Sequence, residues 1–284
     1  MTLRWVAGCM VTRGLRDPRR ADPAQHHLDI AFSSYFRRCS AQDPAPRPQL
    51  ALPSSTVLWI ALNFGSHYTA RMRTIGDLIV LAFFFLLRVG EYTRSSDPRL
   101  TVPLRRQDIK LWRNKSLLSH TLPLQELEQA DAVTIFLDNQ KNGFRGATLH
   151  HTASGNTLCP VRCAARLVHQ IAALPESTGL GTYVLPNGAV RQVTASEIRS
   201  AVQMGAVGDN LEAMGYDIAR IGSHSLRSGG ATHLKLCGYD ETTIKKLGRW
   251  SSNTYLRYIQ TMIGELSAGI ATAMSRILRF HQVS

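Results

Sequence analysis

The pattern of apolar and polar positions divides the chain unevenly. Residues 1–27, which include RGLRDPRRADP, hold no sustained period. Residues 28–40 (LDIAFSSYFRRCS) return apolar side chains at helical spacing and predict one helix with a basic end. Pro44, Pro46, Pro48 and Pro53 then forbid a continuous helix, since each lacks an N–H and drives its predecessor toward extended backbone. Residues 42–53 therefore predict a linker, with a boundary near residue 50. Residues 1–50 form a partial N-terminal unit with a Pro-rich linker, too short for an independent helical domain of ordinary size. Residues 51–284 carry the main domain.

That domain opens with a helix capped by Ser54 or Ser55 and running through TVLWIALNF. Residues 74–88 are apolar nearly all round, which predicts a helix buried on every side. A short helix is expected from Val89 or Gly90. Three strands are predicted at 108–112 (DIKLW), 132–138 (AVTIFLD) and 147–152 (ATLHHT), the last two separated by the turn-like NQKNGFRG. Helical spacing resumes over 159–174, where Pro160 suits the first turn. Further helices are expected over 195–207, 226–236, 241–247, 254–259 and 264–280. The fold class is mainly α with a small three-stranded antiparallel β-sheet (α+β).

Charge narrows the function. Lysine and arginine number 33 against 20 acids, a net +13 with a sequence pI near 10.0. Such a surplus suits a polyanionic partner, because each basic group placed on a phosphate releases condensed counterions. The longest apolar run, residues 78–87, is half the roughly 20 residues a membrane helix needs. The first residues, MTLRWVAGCM, do not form a clear signal peptide, so neither secretion nor a membrane location is expected. Cys9, Cys39, Cys159, Cys163 and Cys237 are odd in number and scattered, against a secreted disulfide framework. Cys159 and Cys163, four apart and downstream of His150 and His151, read as two buried thiols in preference to a zinc pair. No cofactor or metal is expected.

The candidate chemistry lies in four motifs. LLRVGE places Arg88 at the end of the buried helix with Glu91 three residues on. QKNGFRG places Lys141 at a hairpin, with Arg145 as a neighbouring competitor. HSLRSGGAT sets His224 and Arg227 three apart near a helix start, where both can share a face. LGRWSSNTYLRYI carries Trp250 and Tyr258, with Tyr255 as the rival tyrosine. Each has an ordinary structural account alone. Arg88 could cap a helix dipole, Lys141 could decorate a turn, His224 could be a structural histidine, and Trp250 with Tyr258 could line a core.

Taken in this order, the motifs resemble the tyrosine recombinases, or phage-integrase family, over roughly residues 54–284. LLRVGE and CPVR are similar to recombinases of eukaryotic mobile elements. The resemblance implies the tyrosine recombinase catalytic-domain fold, double-stranded DNA as partner and a homo-tetramer on synapsed DNA. It implies a nuclear location if the host is eukaryotic, otherwise cytoplasm or nucleoid. It also implies metal-independent cutting and rejoining of DNA through a 3′-phosphotyrosyl intermediate. Arg88 and Arg227 would bind the phosphate with planar, permanently charged forks. Lys141 would protonate the leaving 5′ oxygen, His224 would act as acid/base, Trp250 would support the phosphate, and Tyr258 would be the nucleophile. Glu91 would orient the basic groups nearby or pack structurally. Relatives usually carry an N-terminal helical domain that closes a clamp on DNA, and only residues 28–40 stand for it here. Two other readings follow: an inactive DNA-binding remnant of a mobile element, and type IB topoisomerase-like strand relaxation.

Overall fold

The computed structural model describes residues 49–65, 68–94, 101–139 and 145–250, apart from the side chains of Asn139 and Arg145. The chain divides after Pro48 into residues 1–48 and 49–284. The helices expected over 28–40, 254–259 and 264–280 lie outside the described residues, as do Lys141, Tyr255 and Tyr258.

Seven helices occur among the described residues: α1 (Ser54–Asn63), α2 (Ala70–Phe84), α3 (Leu124–Leu127), α4 (Pro160–His169), α5 (Ala195–Gly208), α6 (Ser223–Leu236) and α7 (Glu241–Gly248). Helix α2 is the hub. Ile75 and every residue from Leu78 to Phe83 are buried, as an all-round apolar pattern demands. Helices α1, α4, α5 and α6 all pack against it. The helix starts earlier than the apolar run alone suggests, because Thr69 caps it by accepting from the Met72 N–H at 3.3 Å. At its other end Leu86 adopts φ 48° and the Leu87 N–H reaches back to the Ala82 carbonyl at 3.0 Å. This six-to-one closure ordinarily uses glycine. Here a leucine with no exposed surface takes the left-handed position, at a conformational cost of about 1–2 kcal/mol that its burial offsets.

A half-buried charge cluster ties three helices together. Arg166 on α4 pairs with Asp77 on α2 (Nη2–Oδ1 2.5 Å) and with Glu128 beside α3 (Nη1–Oε1 3.0 Å). Burial pushes the Asp77 carboxyl up, while Arg166 opposes that shift.

The sheet corrects the expected strand number. It has four antiparallel strands in the order β2-β1-β3-β4: β1 (Ile109–Arg113), β2 (Ser116–Leu117), β3 (Ala132–Asn139) and β4 (Arg145–Thr152). The added strand is β2. Asn114 and Lys115 both take positive φ (49° and 65°), forming a two-residue turn that sets Trp112 opposite Leu117 and Arg113 opposite Ser116. A separate two-stranded sheet, β5 (Thr182–Val184) with β6 (Val190–Gln192), was also not expected. Cys159 and Cys163 are buried free thiols. Among the described residues no helix is long and apolar enough to cross a membrane.

Candidate active site

The site grows from the C-terminal end of α2. Past the Leu86 turn the chain runs extended through Arg88 (φ −82°, ψ 144°) and enters a 3-10 turn, Val89–Glu91. Arg88 therefore lies beyond the helix rather than on its last turn. The reversal aims Glu91 back at its own entry. One carboxylate oxygen of Glu91 accepts from the Arg88 backbone N–H at 2.8 Å, and the other accepts from Arg88 Nη1 at 3.0 Å. The Arg88 side chain keeps 22% of its surface exposed, whereas that of Glu91 keeps 1%.

Helix α6 brings His224 and Arg227 to the same place. It can do so because two consecutive glycines face its neighbours. A Cβ on Gly229 would stand 2.1 Å from the Leu52 carbonyl oxygen, and one on Gly230 would stand 2.4 Å from the Leu86 side chain and 2.5 Å from the Phe83 carbonyl oxygen. The close approach lets Arg227, 1% exposed, donate from Nη1 to the Leu86 carbonyl at 2.6 Å and from Nη2 to the Gly248 carbonyl. The left-handed turn at Leu86 thus presents a carbonyl to the buried guanidinium.

Helix α7 ends with Arg249 in the left-handed region (φ 55°), after which Trp250 folds back. The Trp250 ring covers Arg227, with the guanidinium carbon 4.4 Å from the ring centroid. A Cβ on Gly248 would meet that ring at 1.8 Å, so the indole can take this place only because residue 248 is glycine. Arg249 points inward. It pairs with Glu91 (Nη2–Oε2 2.8 Å) and donates to the carbonyls of Phe85 and Leu86, both at 3.2 Å. Burial lowers its pKa; Glu91 opposes that shift and Arg88 adds to it.

His224 reaches solvent at the first turn of α6. Its pKa is held below the ordinary histidine value, first by loss of hydration and then by the positive charges of Arg227 and Arg88. The shift favours the neutral imidazole, the form able to accept a proton. Tyr92, beside Glu91, is a poor nucleophile: burial, and next the Glu91 charge, push its hydroxyl well above the usual tyrosine value.

Arg88, His224 and Arg227 come within electrostatic reach of one another, Trp250 stacks on Arg227, and Arg88 pairs with Glu91. Lys141 and Tyr258 lie outside the described residues; strands β3 and β4 pair as far as Asn139 and Arg145 on either side of the lysine. Sequence reasoning missed Arg249. An arginine just past a helix end has the sequence signature of an ordinary dipole partner. Nothing in the spacing signals its buried pairing with Glu91.

No family model and no curated protein sequence matches the chain. Solved structures do. The XerH site-specific recombinase, in a post-cleavage complex on palindromic difH substrate, matches with TM-score 0.53 at 14% identity. That match covers 82% of this chain and 56% of the XerH chain, so the chain spans little more than half of XerH. XerA recombinase matches with TM-score 0.50 at 14% identity over 96% of this chain and 82% of its own. The fold is that of the tyrosine recombinase catalytic domain.

Proposed function

We propose that the chain is the catalytic domain of a DNA strand-transferase that cuts and rejoins duplex DNA through a tyrosine ester, as a site-specific recombinase or integrase. The observation that carries this reading is the clustering of Arg88, His224 and Arg227 within electrostatic reach of one another, with the Trp250 ring on Arg227 and the Arg88 guanidinium on the buried Glu91. The four come from three separate parts of the sequence, and the fold is one shared with site-specific recombinases. XerH has been seen bound to its DNA substrate, which supports DNA as the partner here.

In this reading Arg88, the most exposed of the three arginines, binds a non-bridging phosphate oxygen. Arg227 adds fixed positive charge behind it, where charge gathers in the transition state. A direct contact from Arg227 requires the Trp250 indole to move off its face. Neutral His224 takes the proton from the Tyr258 hydroxyl as its oxygen attacks the phosphorus. The bond to the 5′ oxygen breaks, Lys141 supplies that oxygen's proton, and the 3′ phosphate stays on Tyr258. A 5′-hydroxyl from another strand reverses the sequence. No step calls for a metal or cofactor. Assembly as a tetramer on two duplexes belongs to the same reading, as does the division of the chain into an N-terminal remnant (1–50) and a catalytic domain (51–284).

One observation favours a second reading. Arg227 is 1% exposed with both terminal nitrogens on carbonyl oxygens, which suits a folded DNA-binding remnant as well. Nicked duplex oligonucleotides of random sequence separate the two. A denaturation-resistant DNA–protein band, absent in Tyr258→Phe, supports the transferase. Salt-sensitive binding with no such band supports the remnant, and relaxation of plasmid supercoils without sequence preference would indicate a topoisomerase.

A further inference from the structure

We infer that Arg249 is a positioning residue for the phosphate-binding Arg88, acting through the carboxylate they share; this rests on the strand-transfer reading above. Glu91 has no exposed surface and holds two guanidiniums at once. Arg88 takes one oxygen at 3.0 Å and gives its backbone N–H to the other at 2.8 Å. Arg249 occupies that second oxygen at 2.8 Å. The two arginines differ in exposure, with 22% of the Arg88 side chain open and 5% of the Arg249 side chain. Only the first is placed to meet a ligand. The second is spent on the interior.

A buried carboxylate held by one partly hydrated arginine is costly. Arg249 gives it a second, interior partner. Its fork is fixed by the Phe85 and Leu86 carbonyls, so Glu91 meets a rigid cation rather than a mobile one. Glu91 in turn sets the direction of the Arg88 guanidinium. The Leu86 carbonyl also accepts from Arg227, so one backbone oxygen ties the inner arginine to the second proposed phosphate-site arginine. Arg249 therefore fixes the relative position of Arg88 and Arg227 without touching DNA.

The test uses the full chain and nicked duplex DNA, measuring covalent-adduct rate, duplex affinity and melting temperature together. Arg249→Gln is expected to slow adduct formation by about 100-fold, the size of effect that a misplacement near 1 Å produces. Duplex affinity should stay within about three-fold, because no phosphate contact is removed. Arg249→Lys keeps a charge on Glu91 and should recover part of the rate. Glu91→Gln combined with Arg249→Gln should be no slower than the worse single variant, as two links of one chain require. A merely structural residue would instead lower melting temperature, affinity and rate together, with no recovery in the lysine variant, and that outcome overturns the inference. Wild-type rate in Arg249→Gln also overturns it and leaves the strand-transfer reading standing. A wild-type chain that forms no adduct sinks that reading and this inference with it.

Discussion

Replacing Gly230 by alanine turns a gain in helix propensity into a loss of stability, and the sign of the result tests how α6 is seated. In an open helix the change would stabilise by about 1 kcal/mol. Here the new Cβ would lie 2.5 Å from the Phe83 carbonyl oxygen and 2.4 Å from the Leu86 side chain. A carbon–oxygen contact needs about 3.3 Å, so α6 must retreat from α2 by roughly 0.8 Å. That retreat stretches the 2.6 Å bond from Arg227 to the Leu86 carbonyl toward its limit. Overpacking costs about 1–3 kcal/mol and a weakened bond from a buried charge about 1–2 kcal/mol. Less the helix-propensity gain, the net loss is about 1–4 kcal/mol, or a melting temperature lower by roughly 2–16 °C for a domain of this size. Thermal and urea melts measure it. Gly90→Ala is the control, since a Cβ there meets nothing within 4 Å, and it should stay within about 0.5 kcal/mol of wild type. A Gly230→Ala chain as stable as wild type, or more so, would refute the packing that brings Arg227 to the site.

The remaining predictions concern ionisation and metal. The His224 ring, followed by NMR, should titrate below the usual value of about 6.5, and Arg88→Gln should move its midpoint upward by removing a neighbouring positive charge. An unchanged midpoint would show that Arg88 does not act on His224. Stability should fall between about pH 7 and pH 5, because His224, His151 and His120 all have lowered pKa values, so the unfolded chain takes up protons before the folded one. A higher melting temperature at pH 5.5 than at pH 7.5 would contradict this. EDTA should leave adduct formation unchanged, since two arginines and neutral His224 supply the charge stabilisation and the base; inhibition by EDTA would contradict the metal-free mechanism.

Much of the fold is legible in the sequence because one physical signal dominates it. The apolar run from Leu78 marks a buried helix, although the helix stops at Phe84 while the run goes on to Leu87, and the β-branched alternation of 132–138 marks a half-buried strand. The errors have identifiable causes. Strand β2 was missed because Asn114-Lys115 turns the chain with two left-handed non-glycine residues, a weaker signal than Asn-Gly. Strands β5 and β6 flank an Asn187-Gly188 turn that was legible, yet each is three residues long and offers too little alternation to read. Helix α6 begins at Ser223 rather than 226, which puts His224 inside its first turn. The motif spacing singled out Arg88, His224, Arg227 and Trp250, which the fold brings into one neighbourhood. It could not reveal Arg249, whose role depends on a buried contact across 158 positions of sequence, nor the left-handed turn at Leu86, which glycine would have advertised and leucine conceals.

The central claim is that a tyrosine of this chain becomes esterified to the 3′ phosphate of DNA. Its most direct test is to digest the trapped adduct with nuclease and trypsin and locate the nucleotide by mass spectrometry. The account predicts a nucleotide phosphate on Tyr258, joined through the 3′ side, with Tyr255 unmodified. A nucleotide on Tyr255 would move the nucleophile by three positions in the sequence. A 5′ linkage, modification of a residue other than a tyrosine, or no adduct on any duplex would contradict the account.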